Sequence, residues 1–135
     1  MILVDSSAWI EFYRPSGDQR VASTVAKVIE EDMVCTNGII QAEIVSYAPD
    51  RKSFDLLAAD FRAFHWLKFG HNDFDLASKM GFDLRRGGVT VPATDLIIAA
   101  SAIHADATVY HLDSHFDQIA KHAGLKAVHL KKSGS

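Results

Sequence analysis

Ile2-Leu3-Val4-Asp5-Ser6-Ser7-Ala8-Trp9-Ile10 decides the fold. Its first three residues are apolar without alternation, the mark of a short strand covered on both faces, and Asp5-Ser6-Ser7 then offers the side chains that start a helix. The arrangement returns late in the chain, where Val109-Tyr110-His111-Leu112 runs into Asp113-Ser114-His115-Phe116. Two strands that each end on an aspartate and pass into a helix deliver two carboxylates to one edge of a parallel sheet, which is where such sheets bind ligands. Three more runs read as strands: Met33 to Thr36, a weak His65 to Phe69, and Lys126 to Leu130. Helical stretches separate them all. The expectation is a single α/β domain over residues 1–130, with a central, mainly parallel sheet of four to five strands flanked by helices, and a frayed tail at 131–135.

The helices between are mostly ordinary. Asp18 caps a stretch through Glu30 whose Val21, Val25, Val28 and Ile29 recur at helical spacing. Helices over about 51–64 and 72–86 carry Phe54, Leu57, Phe61 and Phe64, then Phe74, Leu76, Met80 and Leu84. Such a stripe belongs to a core, and any part of it left exposed would serve as an oligomer or partner surface. Arg85-Arg86-Gly87-Gly88 closes the second of them, with basic residues in the last turn and glycine beyond.

Bulk properties exclude several classes. Of 135 residues 48% are hydrophobic and 23% charged, with 3 Pro and 8 Gly, so no segment reads as disordered. The longest apolar stretch, Leu96 to Ala100, is far short of a membrane span, and Met1 runs into a strand with no basic leader, so the expected location is cytoplasmic. Cys35 is alone, cannot form an internal disulfide, and reads as a small buried side chain. The net charge of −3 argues against a protein that grips nucleic acid by charge alone, unless some acids hold cations that reverse the charge a phosphate meets.

Four acids invite that reading. Asp5 and Asp113 each admit the plain explanation of a helix cap. Asp95 follows Val91-Pro92-Ala93-Thr94, where Thr94 is the better-placed cap, and it opens a helix apolar on nearly every side, with no Lys or Arg nearby in sequence. In Asn37-Gly38-Ile39-Ile40-Gln41-Ala42-Glu43-Ile44-Val45-Ser46-Tyr47, helical spacing puts Ile39, Ile40, Glu43, Ile44 and Tyr47 on one face, so Glu43 is expected to interrupt a core-facing stripe, as a metal ligand or a buried salt bridge. Four carboxylates without a base repel one another, and a hard divalent cation removes that cost. The 7 His form no zinc-type set; His115 reads as a surface residue at a helix start. Asp117, one turn after Asp113, is a further candidate ligand for a second ion, or part of a solvated face.

These residues resemble the PIN domain, the nuclease fold of VapC toxins from toxin–antitoxin pairs. The resemblance spans essentially the whole chain in four ordered blocks: Val4 to Ile10, Glu43, Val91 to Ala100, and Leu112 to Phe116. It implies that Asp5, Glu43, Asp95 and Asp113 are the acidic metal-binding set, with Ser7 supporting Asp5 and Thr94 beside Asp95. It further implies a Mg²⁺-dependent endoribonuclease (Mn²⁺ as a substitute), a homodimer, and inhibition by a VapB-type antitoxin. Arg14, Arg85 and Arg86 are the candidates for RNA contact, with Lys121 and Lys126 behind them. In the expected chemistry Asp5, Asp95 and Asp113 hold the metal and Glu43 positions or deprotonates water. Two rival readings are a haloacid-dehalogenase-type phosphatase, which would want a second Asp where Ser7 stands, and a catalytically idle domain of this fold that only binds.

Overall fold

A computed structural model describes residues 1–134; Ser135 lies outside the described residues. The elements follow in the order β1 (Ile2–Val4), α1 (Ser6–Tyr13), α2 (Gln19–Glu30), β2 (Val34–Thr36), α3 (Gly38–Val45), α4 (Arg51–Ala63), β3 (His65–Trp66), α5 (His71–Arg86), α6 (Ala93–His104), β4 (Thr108–His111), α7 (Ser114–His122) and β5 (Lys126–His129). The five strands form one sheet in the order β3-β2-β1-β4-β5, every pair parallel. Every expected strand is present, the weak one reduced to two residues at the sheet edge.

The topology selects the functional edge. From β1 the chain builds outward through β2 to β3 and only then returns to the other side of β1 with β4 and β5. Strand order therefore reverses at β1. In open parallel sheets the crevice at such a reversal, beyond the carboxyl ends of the two strands, is left uncovered by the diverging connections. Leu3 and Val4 are fully buried, as a central strand covered by helices requires. Register pairs Val4 with Tyr110, and Asp5 N–H donates to Tyr110 C=O at 2.9 Å, so β1 and β4 end side by side.

An aromatic cluster fixes how α1 sits. Trp9, fully buried, stacks on Phe64 (centroids 5.2 Å apart) and Tyr13 (5.5 Å), and meets Phe61 at 5.3 Å. The phenylalanines of α4 and α5 divide: Phe61 is core, Phe64 and Leu57 are partly buried against it, and Phe54, Phe74 and Phe82 remain exposed. Cys35 is buried as expected, and burial pushes its thiol up to about 11, which keeps it protonated and unreactive. The segment after Leu130, expected to fray, is partly anchored: Ser133 N–H donates to Asp18 Oδ2 at 2.9 Å while Asp18 Oδ1 caps α2.

Two local expectations are corrected. The α6 helix starts at Ala93 with Pro92 in the cap position and no side-chain cap, so Thr94 is an exposed residue inside the first turn and not the cap. Pro92 has φ −57° and an extended ψ of 145°, and it is this ψ that makes the non-helical entry, one residue before Ala93 and two before Thr94. In α3 the buried side chains are Ile40, Ile44 and Val45; Glu43 is exposed, and Tyr47 is 86% exposed. The helix is short and apolar on most sides, so spacing alone does not set its rotation, and Glu43 falls outside the buried arc instead of interrupting it.

Candidate metal centre

Asp5 is 5% exposed and its Oδ2 accepts from Ser7 N–H (3.1 Å) and Ser7 Oγ–H (2.6 Å). The cap reading is thus correct, yet both bonds fall on one oxygen, so capping does not preclude a ligand on the other. Ser7 Oγ in turn accepts Leu112 N–H at 2.9 Å. A hydroxyl can donate once and accept twice, and this one spends itself tying the Asp5 carboxylate to the backbone just before Asp113.

Asp113 caps α7, its Oδ1 accepting His115 N–H at 2.9 Å. Asp95 occupies the third position of α6, with its side chain 16% exposed. Burial pushes the Asp95 carboxyl up to about 6; the hydrogen bond from His115 opposes that shift, and the charges of Asp113 and Asp5 reinforce it. Two helix starts, α6 and α7, and the end of β1 thereby bring three carboxylates to one crevice.

His115 closes the group. Its Nδ1 lies 3.0 Å from Asp95 Oδ2 and 3.2 Å from Asp113 Oδ1, and ligand atoms of Asp95, Asp113 and His115 all fall within 4.8 Å of one another. Sequence reasoning passed over this residue. The signal was present in the Asp-x-His spacing, which lets a ring in the first turn fold back onto the capping carboxylate. Glu43 stands at the rim, where its Oε1 accepts from Ser6 Oγ–H at 2.8 Å next to Asp5. None of the four acids pairs with Lys or Arg among the described residues. A crevice of carboxylates that none of the described Lys or Arg residues neutralises, with one carboxyl forced toward its neutral form, suits a cation.

Asp117 does not join this group. Its Oδ2 meets His129 Nδ1 at 2.7 Å and its Oδ1 lies 3.5 Å from His111 Nε2, because β5 runs beside β4 and sets His129 opposite His111. His111 Nδ1 accepts Asp113 N–H at 3.1 Å, so the neutral ring carries its proton on Nε2 and has no lone pair there for an ion. Burial also lowers the pKa of His111 and keeps it neutral. That buried ring acts as a backbone acceptor that holds the turn at Asp113.

The basic candidates separate as well. Arg14 donates to Glu11 at 3.0 Å, and Glu11 is only 6% exposed, so Arg14 is a structural ion-pair partner. Lys126 pairs with Asp106 at 2.7 Å. Lys121, Arg85 and Arg86 are exposed; Arg86 lies over the Phe82 ring at 5.6 Å, and Arg85 lines a groove with Phe82, Thr90 and Ala93 at the start of the helix that carries Asp95.

Comparison with known proteins gives a consistent result. A family model described as the PIN domain matches residues 2–122. A VapC ribonuclease of Mycobacterium bovis is 33% identical over 135 residues, covering 97% of this chain and 100% of its own length. Two solved structures share the fold: VapBC2 from Rickettsia felis, bound to a DNA fragment from its promoter (TM-score 0.75, 16% identity, 97% of this chain and 100% of that one), and FitAcB from Neisseria gonorrhoeae (TM-score 0.71, 21% identity, 94% and 96%). No helix among the described residues is long and apolar enough to cross a membrane.

Proposed function

Since this chain belongs to the PIN domain family, we propose that it is a cytoplasmic, metal-dependent endoribonuclease that acts as the toxin of a VapBC-type pair and is restrained by a VapB-type antitoxin. The observation that carries the reading is the convergence of Asp5, Asp95 and Asp113 on the crevice between β1 and β4 with no Lys or Arg among the described residues to neutralise them. Full-length likeness to a VapC ribonuclease supports RNA as the substrate.

Asp5, Asp95 and Asp113 are the residues to hold a divalent cation, Mg²⁺ or Mn²⁺. Such an ion, once bound, supplies Lewis-acid polarisation of a scissile phosphate and neutralises the charge that builds on it. Ser7 pre-sets the site: one hydroxyl fixes the Asp5 carboxylate and the end of β4 together, so the donors need not reorganise during reaction. Glu43, exposed and accepting a hydrogen bond from Ser6 beside Asp5, is the residue to take a proton from the attacking water. Arg85 and Arg86, which pair with no acid among the described residues, are the side chains to meet RNA phosphates beside α6; Arg14 is withdrawn from that role by Glu11. The exposed Phe54, Phe74 and Phe82 are surfaces for a second copy of the chain or for the antitoxin.

The phosphatase alternative loses ground, because Ser7 is committed to Asp5 and the end of β4. An idle binding module remains distinguishable by experiment. Purified protein is incubated with RNA in Mg²⁺, in EDTA, and as Asp5→Asn with Mg²⁺. Cleavage only in the first condition is expected. Cleavage that survives both losses refutes the metal mechanism, and no cleavage under any condition, with RNA still bound, favours the idle module.

A further inference from the structure

One ring nitrogen of His115 touches two of the acids just assigned, and the nuclease reading gives it no role. The geometry points to His115 Nδ1 as a direct ligand of the cation held by Asp95 and Asp113, making the centre a mixed nitrogen–oxygen site that prefers Mn²⁺ and later first-row ions to Mg²⁺. The inference rests on the metal-centre reading above.

Three observations carry it. Ligands about 2.1 Å from an octahedral ion stand about 3.0 Å apart at adjacent corners. Nδ1 lies 3.0 Å from Asp95 Oδ2 and 3.2 Å from Asp113 Oδ1, with all three atoms mutually within 4.8 Å. Second, a neutral ring has one N–H to give from Nδ1. The contact with Asp95 has hydrogen-bond geometry, whereas the contact with Asp113 is close without it. One N–H donates with good geometry to only one of the two oxygens, whereas a cation among the three atoms engages both, with the ring proton on Nε2. Third, the backbone that carries the ring is tied to one of the two carboxylates, since His115 N–H donates to Asp113 Oδ1 at 2.9 Å. Helix start and capping carboxylate thereby set the imidazole's attachment point beside Asp113.

The consequence for selectivity follows from ligand chemistry. Mg²⁺ takes oxygen ligands and keeps its waters, so a nitrogen donor adds little to its binding. Affinity for nitrogen rises along the first row, so the same donor strengthens Mn²⁺ and strengthens Co²⁺ more.

The test uses the full-length chain, stripped of metal and titrated with MnCl₂ alone, then read by pulsed EPR for coupling to ¹⁴N. Expected is the modulation of a directly bound imidazole nitrogen, absent in His115→Ala although Mn²⁺ still binds. By calorimetry His115→Ala should weaken Mn²⁺ about tenfold and Mg²⁺ less than about threefold. Saturable Mn²⁺ binding that Asp95→Asn removes, but with no nitrogen signal in the native chain, overturns the inference and leaves the metal centre intact. So does an equal loss for both ions in His115→Ala. No saturable Mn²⁺ binding at all overturns both readings.

Discussion

Asp95→Asn separates a residue that holds the fold from one that the fold holds under strain. Burial raises the Asp95 carboxyl from 3.8 to about 6 in a side chain 16% exposed. Ionising it in the folded state therefore costs about 2 pKa units, or about 3 kcal/mol as an upper figure. The raised folded pKa means that the native state binds the extra proton between about pH 4 and 6. Metal-free stability thus falls as pH rises through that window, and the full penalty is present at pH 7. An amide is neutral, keeps an oxygen for the His115 hydrogen bond, and removes the penalty. For a chain of 135 residues, about 2.1 cal/mol/K of unfolding entropy per residue converts 1–3 kcal/mol into a rise of about 4–10 °C in Tm. Melts followed by circular dichroism in EDTA should show Asp95→Asn more stable than the native chain at pH 7 and indistinguishable near pH 4, while RNA cleavage in Mg²⁺ is lost. A Tm at pH 7 equal to or below that of the native chain would mean that the carboxylate supports the fold, and the strained-site argument fails.

Glu43→Ala should cut cleavage by about 10²-fold or more, as loss of a general base does, and change stability by less than about 0.5 kcal/mol, as expected of an exposed residue; a loss above about 1 kcal/mol in urea melts would show Glu43 to be structural. Ser7→Ala strips the hydroxyl from both Asp5 Oδ2 and the Leu112 N–H, which should cost about 1–3 kcal/mol and lower activity together; an active, fully stable variant would show that the bridge is dispensable. Arg14→Ala should lower Tm, because Glu11 at 6% exposure loses its close partner, whereas Arg85→Ala/Arg86→Ala should leave Tm unchanged and weaken RNA binding in a filter assay; the opposite pattern would reverse the assignment of these arginines.

What the sequence discloses here is local. Ile2-Leu3-Val4-Asp5 and its late echo at Asp113 are readable because strand, cap and carboxylate lie within a few residues, and parallel topology then puts both at one edge. Helix rotation is legible only where polar residues mark the outer face, as in α2, whose Val21, Val25 and Val28 are all buried. The α3 sequence lacks that marking, so spacing puts Glu43 on the core-facing stripe while the folded helix leaves it exposed. Asp117 parts from the Asp95 group for another reason: its partners come from the neighbouring strands β4 and β5, and which strand lies beside which cannot be read from spacing. His115 is legible in the Asp-x-His spacing, although a histidine at a helix start otherwise reads as a surface residue.

The acidic balance that seemed to oppose RNA binding is better understood as a property of the site than of the surface. Of 17 acids against 14 Lys and Arg, four converge on or border the crevice without counter-ions, so the rest of the molecule carries one acid fewer than its Lys and Arg. The repulsion an RNA phosphate meets is then local and switched off by a cation, and the same carboxylates should obstruct binding when metal is absent. Two unit charges about 5 Å apart interact by about 1–3 kcal/mol between the dielectric of water and that of a protein surface. Asp5→Asn/Asp95→Asn in EDTA should therefore bind a short RNA at least about fivefold more tightly than the native chain in EDTA, although it cannot cleave, and adding Mg²⁺ should strengthen the native chain and leave the double variant nearly unchanged. Fluorescence anisotropy at fixed ionic strength reads both effects. If the double variant binds no better than the native chain without metal, the phosphate does not approach these carboxylates, and the RNA path must lie away from the crevice between β1 and β4.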